Sequence, residues 1–168
     1  MRTIILGIGN PILGDDGIGV HVARELRKKI KETSDLVIDE AQTGGMNLVD
    51  LIRGFDQAIL IDAVSIKNEA HASIKRYDIT EIETVHSCNP HDVNLVEAIE
   101  VSKRIGDVQI PKEIIIIGVN LKRIPTEFSE SLSQEIQKTI PVVMNMVLSE
   151  IVDKNLIEKI DGIRHLHT

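Results

Sequence analysis

Two adjacent carboxylates, Asp15 and Asp16, follow a short apolar segment and a glycine-rich turn near the start of this 168-residue chain. A glycine-rich turn between a strand and a helix usually binds phosphate, because free backbone N–H groups and the helix dipole favour anions there. In this chain the protein itself supplies negative charge at that position. The turn therefore favours a cation or a proton over a phosphate as its ligand.

Neither of the common phosphate-binding motifs is complete in this turn. A dinucleotide fingerprint needs G-x-G-x-x-G, but Ile12 stands where the third glycine should follow Gly7 and Gly9. A P-loop needs a lysine and a hydroxyl after its second glycine, and Asp15 and Asp16 occupy those positions. Nucleotide binding is therefore disfavoured. The simpler alternative is that one acid caps the following helix, which would leave the second acid unexplained.

Two further positions carry residue types that bind metals. Asp62 comes directly after the apolar run 58–61, so we expect a buried strand to present its carboxylate at the strand's end. His91 lies in a polar segment, interrupted by proline, that precedes a predicted helix. Ligands of open α/β sheets bind beyond the carboxyl ends of the strands. Asp16, Asp62 and His91 together therefore predict a site for a divalent metal.

Each of these residues also has an ordinary structural alternative. Asp62 could end its strand by bonding to nearby backbone. Asp92 is the better helix cap in its segment, and a lone histidine such as His91 is more often a plain surface residue. Cys88, the only cysteine, could pair with a histidine as a nucleophile, but no activating partner is readable around it. Because the chain has a single cysteine, it cannot form a disulfide framework, and we expect a reducing compartment.

The elements that must position these residues alternate along the chain. Strands are predicted at 3–8, 36–38, 58–61, 72–77 and 114–119, and helices at 17–33, shortly after 44–45, at 92–103 and at 129–153, the last kinked or split at Pro141. The alternation predicts an α/β fold, a single three-layer α/β/α domain over residues 1–153 with a twisted, largely parallel mixed sheet. Residues 154–168 are expected to form a loosely attached tail. Segment 72–77 follows the third strand too closely for a helical crossover, so we expect it to be antiparallel.

Composition limits the possible partners. The formal net charge is −7 and aromatic residues make up 2% of the chain, which argues against nucleic-acid binding. No apolar run approaches the roughly 18–20 residues of a membrane span, and no signal-peptide pattern opens the chain. We expect a cytoplasmic protein that binds neither nucleic acid nor membranes.

In combination, these residues resemble the peptidases that mature the large subunit of [NiFe] hydrogenases. The resemblance covers roughly residues 1–150 and rests on three motifs: Gly7-x-Gly9-Asn10-x4-Asp15-Asp16-Gly17-x-Gly19, Asp62-Ala63 after an apolar strand, and Pro90-His91 before a helix. It implies an endopeptidase that removes the C-terminal extension of the hydrogenase large-subunit precursor after nickel has been inserted. The precursor would be its protein partner.

The resemblance also implies roles for individual residues. Asp16, Asp62 and His91 match the metal-contacting positions and would bind nickel carried by the substrate, so no tightly bound cofactor of the protein's own is expected. Asp16 and Asp62 would be the catalytic acids of an aspartic-type endopeptidase, and the segment Thr43, Gly44 and Gly45 would contact the substrate. Two alternatives remain open: a module that binds or senses nickel without proteolysis, and a general metallo-amidohydrolase that holds its own metal.

Overall fold

A computed structural model of the chain describes residues 1–42, 46–79, 86–87, 95–106, 109–123 and 125–151. Within these ranges six strands are found: β1 (Thr3–Ile8), β2 (Leu36–Ala41), β3 (Gln57–Ser65), β4 (Ile74–Asp78), β5 (His86–Ser87) and β6 (Glu113–Asn120). The helices are α1 (Ile18–Lys29), α2 (Met46–Ile52), α3 (Leu95–Arg104), α4 (Gln134–Gln137) and α5 (Ile140–Ile151), and a 3₁₀ turn, Gly14–Gly17, precedes α1. None of the described helices is long and apolar enough to cross a membrane.

The strands form one mixed sheet with the order β2-β1-β3-β6-β4, and β5 pairs with the end of β3. β1 is parallel to both β2 and β3, and β3 is parallel to β6. β4 is antiparallel to β6, as predicted from the short connection that precedes it. The predicted α/β fold with a largely parallel mixed sheet is thus confirmed.

Helices cover both faces of this sheet. One buried cluster joins α1, α4 and α5 to strand residues such as Ile59 and Ile61. The other joins α2 and α3 to the alternating residues of the same strand, Ala58 and Leu60. Because successive side chains of a strand point to opposite faces, a strand covered on both sides must be apolar throughout. This explains the continuous apolar runs of β3 and β6.

The long C-terminal helix predicted for 129–153 is two helices. α4 ends at Gln137 and α5 begins at Ile140, so Pro141 lies in the first turn of α5. A proline is tolerated there because the amide it lacks would have no partner inside the helix. The predicted break at this proline is correct, whereas residues 129–133 are not helical. The proposed tail, 154–168, lies outside the described residues.

α1 packs unusually close to the strand ends, and Gly19 permits it. A Cβ atom at Gly19 would lie 2.1 Å from the carbonyl oxygen of Ile61 in β3 and 2.3 Å from that of Ile8 in β1. Both neighbours are backbone atoms of paired strands, which cannot move aside as a flexible side chain can. The first turn of α1 therefore rests directly on the carboxyl ends of β1 and β3.

We expect Gly19→Ala to lower the free energy of unfolding by about 3 kcal/mol or more, because the added methyl group has to push the helix away from two strands. Gly54→Ala is the matched control: a Cβ there meets nothing within 4 Å, although φ is +83°. The strain of that φ should cost about 1 kcal/mol. Chemical denaturation of the two variants measures both values, and an equal loss in the two would contradict the close contact.

His21 on α1 is a second feature with a measurable consequence. Its Nε2 atom is buried and has no hydrogen-bond partner. Burial, with a smaller contribution from the neighbouring Arg24 guanidinium, lowers the pKa of His21 below its ordinary value of 6.5. The folded protein thus favours the neutral imidazole.

Because the pKa of His21 is lower in the folded state, the unfolded chain binds more protons once the pH falls below about 6.5. We expect the free energy of unfolding to fall as the pH is lowered from about 7.5 to about 5.5, and to fall less in His21→Leu. Denaturant titrations of both proteins at the two pH values test this. The same pH dependence in both would show that His21 contributes none of it.

Candidate active site

Asp16 lies in the 3₁₀ turn between β1 and α1 and is nearly buried, with 7% of its surface exposed. Its Oδ2 atom accepts a hydrogen bond of 2.9 Å from the backbone N–H of Asn10, across the turn. Gly9, with φ +138°, allows this fold of the backbone, because a Cβ there would lie 2.0 Å from the carbonyl oxygen of Asp16. The backbone of the turn thus packs closely against the backbone of Asp16. The hydrogen bond from Asn10 holds the Asp16 carboxylate in a defined orientation.

Neither acid of this turn stands at the N-cap of α1, which is Gly17. The helix-cap alternative is therefore not the geometry found for Asp15 or Asp16. Asp15 instead accepts a hydrogen bond of 2.6 Å at Oδ1 from the backbone N–H of Ser133, the N-cap residue of α4. The two neighbouring acids thus have different partners: Asp15 ties the turn to the C-terminal helices, and Asp16 binds within the turn.

Asp62 is part of β3 and does not follow its end. The expectation that the strand stops at residue 61 is wrong, because β3 continues to Ser65 and pairs with β6 through Val64, with Asp62 opposite Gly118. The pairing with β1, however, ends at Gly7 and Ile61. Asp62 is therefore the first residue of β3 beyond its paired length with β1, and its side chain is half-buried.

The fold brings Asp16 and Asp62 to the same edge of the sheet. The 3₁₀ turn that carries Asp16 contacts β3, which carries Asp62. Gly19 is in close contact with the carbonyl oxygen of Ile61, so the first turn of α1 lies beside the residue that precedes Asp62 in β3. Two carboxylates at the carboxyl edge of parallel strands offer oxygen ligands and negative charge where such sheets bind their ligands.

The other predicted site residues, His91 and the segment Thr43, Gly44 and Gly45, lie outside the described residues, as does Cys88. Across the described residues there is no group of three or more His, Cys, Asp or Glu side chains that could hold a metal ion. His91 is the third member of the predicted ligand set, so the complete set stays a prediction.

Asn120 is a structural residue of this edge that the sequence analysis missed. It ends β6 and is 2% exposed; its Oδ1 accepts a hydrogen bond of 2.8 Å from the N–H of Ile66, and its Nδ2 donates one of 2.9 Å to the carbonyl of Ala70. These bonds fix the loop that follows the end of β3 at Ser65. The sequence signal for Asn120 was a polar residue at the end of an apolar strand. Such a side chain can form hydrogen bonds with backbone N–H and C=O groups of neighbouring loops.

Comparison with known proteins gives consistent similarities. Residues 20–150 match the family model described as hydrogenase maturation protease, a range that includes Asp62 and begins four residues after Asp16. Hydrogenase 2 maturation protease of Escherichia coli K12 is 28% identical over 121 residues, which cover 71% of this chain and 73% of that protein. The coenzyme F420 hydrogenase subunit delta of Methanothermobacter thermautotrophicus is 26% identical over 157 residues, 89% of this chain and 94% of that one.

A solved structure supports the same fold. The hydrogenase maturating endopeptidase HybD from E. coli superposes with a TM-score of 0.74 at 22% identity, and the alignment covers 90% of this chain and 92% of that chain. The similarity of fold therefore extends over most of the chain.

Proposed function

The chain belongs to the hydrogenase maturation protease family, and from that premise we propose that it removes the C-terminal extension of a [NiFe] hydrogenase large-subunit precursor after nickel insertion. Members of this family are hydrolases that act on peptide bonds. The nickel would be part of the substrate and would serve as the recognition signal for cleavage. A cytoplasmic location fits a precursor that is processed where it is made.

The observation that supports the proposal is that the elements carrying Asp16 and Asp62 lie at one edge of the sheet. The two residues come from different parts of the chain, yet the elements that hold them are in contact, and α1 packs closely on β3 at Gly19. Asp16 is nearly buried at this edge and Asp62 is half-buried. Carboxylate oxygens are ligands for divalent metals, which supports a metal-recognising role.

In the proposed reaction, a water molecule attacks the carbonyl carbon of the scissile peptide bond, the C–N bond breaks, and the water's proton reaches the leaving amine. One of the two carboxylates would take up that proton and pass it on as the general base. The other, with His91, would bind the substrate's nickel and so position the scissile bond beside the base. The metal supplies Lewis-acid polarisation of the carbonyl or of the water.

The segment Thr43, Gly44 and Gly45 is proposed to contact the substrate. The strand that precedes it in the chain, β2, pairs with β1 up to Ala41 beside Ile8, so β2 ends at the same edge of the sheet as the Asp16 turn. Two consecutive glycines offer backbone that a bound peptide can approach closely.

We expect Asp16→Asn and Asp62→Asn to fold normally and to lose cleavage of the nickel-loaded precursor by at least about 100-fold, because each removes a charge that is needed for metal binding or proton transfer. Asp50→Asn is the matched control, since Asp50 is an exposed acid on α2 that pairs with Arg53. The mass of the large subunit before and after incubation is the measurement. Full processing by both site variants would overturn the assignment.

His91→Ala should weaken recognition of the metal more than it weakens folding, because a neutral imidazole is a nickel ligand. We expect cleavage of the nickel-loaded precursor to fall while the Tm stays within a few degrees of the wild-type value. His165→Ala serves as the matched control. An unchanged cleavage rate together with an unchanged nickel-binding isotherm would count against a ligand role.

A second candidate is a nickel-binding role without proteolysis. It is suggested by the relative from M. thermautotrophicus, which is named as a hydrogenase subunit. The same cleavage assay separates the two: formation of a stable complex with the nickel-loaded precursor, with no change in the precursor's mass, would favour this role.

A further inference from the structure

The turn that carries Asp16 is joined to a distant segment, residues 128–133, by backbone hydrogen bonds. Ser129 donates from its N–H to the carbonyl of Ile12 at 2.9 Å, and Gly14 donates from its N–H to the carbonyl of Ser129 at 2.7 Å. The Asp15 carboxylate adds the bond to the N–H of Ser133. The two segments therefore form one ordered surface unit at the edge of the candidate active site.

This unit presents two large apolar side chains to solvent. Phe128 is 82% exposed and Ile12 is 45% exposed. The parallel bridge pairs Leu13 with Ser129, so Ile12 and Phe128 are the preceding residues on the two joined segments. We call these two residues the apolar patch. The chain has two phenylalanines in all, and the other one, Phe55, packs against the core and lies under the Arg2 guanidinium at 4.9 Å.

We propose that the apolar patch is the docking surface for the folded large-subunit precursor, a proposal that rests on the protease function given above. Aromatic side chains are enriched among the residues that carry binding energy at protein interfaces. An exposed phenylalanine held by an ordered backbone supplies apolar area at a small cost in conformational entropy.

The patch lies close to the candidate active site that the precursor must reach. Ile12 and Asp16 are four residues apart in one turn, so their Cα atoms are separated by at most about 14 Å. A folded protein whose metal approaches Asp16 would extend over surface at this distance from the site. The patch therefore binds the body of the precursor while the nickel and the scissile bond enter the site.

The charges around the patch select the partner. Glu127 and Glu130 flank Phe128 and are both exposed, so the rim is acidic in a chain with a net charge of −7. Two copies of this chain that met through the patch by two-fold symmetry would oppose their acidic rims. Anionic lipid would be repelled in the same way. The complementary surface is apolar with basic neighbours, and we assign it to the precursor.

The test measures binding and cleavage of the purified nickel-loaded precursor by the full-length protein. We expect Phe128→Ser and Ile12→Ser each to raise both the Kd for the precursor and the KM of cleavage by about ten-fold or more, with kcat changed less than about two-fold. Phe128→Leu should recover most of the loss, because it keeps an apolar side chain. Charge reversal by Glu127→Lys should weaken binding and flatten its dependence on salt.

Ile105→Ser is the matched control. Ile105 is 73% exposed but follows α3 at the opposite end of the sheet, so its loss should change neither Kd nor KM. Equal Kd values for the wild type and Phe128→Ser would overturn the docking surface, as would a dimer of this chain that Phe128→Ser abolishes.

Binding is measured separately from cleavage, so the two proposals can fail independently. A precursor that binds the wild type but is never cut would contradict the protease function alone, and the Kd of Phe128→Ser would still decide the docking surface. Normal cleavage by every patch variant, with unchanged KM, would overturn the docking surface and leave the protease function intact. A precursor that does not bind the wild type at all overturns the docking surface.

Discussion

The candidate site depends on a steric constraint, the close approach of the first turn of α1 to the carbonyl ends of β1 and β3. Gly19 faces the carbonyl oxygens of Ile8 and Ile61, and no side chain fits between them. The turn that precedes α1 is therefore held against the strand ends, and Asp16 lies three residues before the point of contact. The glycines that resemble a phosphate-binding loop in the sequence serve close backbone packing here.

The two acids of this turn are neighbours in the sequence but have different hydrogen-bond partners. Asp15 stabilises the fold through a charge-assisted bond to a backbone amide far along the chain. Asp16 is nearly buried at the same edge as Asp62, and part of its burial cost is offset by the N–H of Asn10. Asp16 thus bonds to the backbone of its own turn, whereas the adjacent Asp15 anchors the turn to a distant segment.

Much of the fold could be predicted from local patterns. Continuous apolar runs identified β3 and β6, a short connection gave the direction of β4, and Pro141 marked the division between α4 and α5. The extent of β3 could not be predicted, because a charged residue such as Asp62 normally ends an apolar run. In the structure, pairing with β6 continues the strand to Val64, and pairing with β5 includes Ser65. Contacts between distant segments, such as that of Asp15 with Ser133, leave no periodic signal. The assignments of His91 and of residues 43–45 remain predictions.

The bond between Asp15 and Ser133 joins residues that are 118 positions apart in the chain. Contacts of such long sequence separation form late, because the entropy of closing the intervening loop must be overcome first. During synthesis, β1 and α1 leave the ribosome long before Ser133 does. A nascent chain therefore carries Asp16 on a turn that still lacks its C-terminal anchor, and the enzyme gains its finished geometry only once the segment before α4 has emerged.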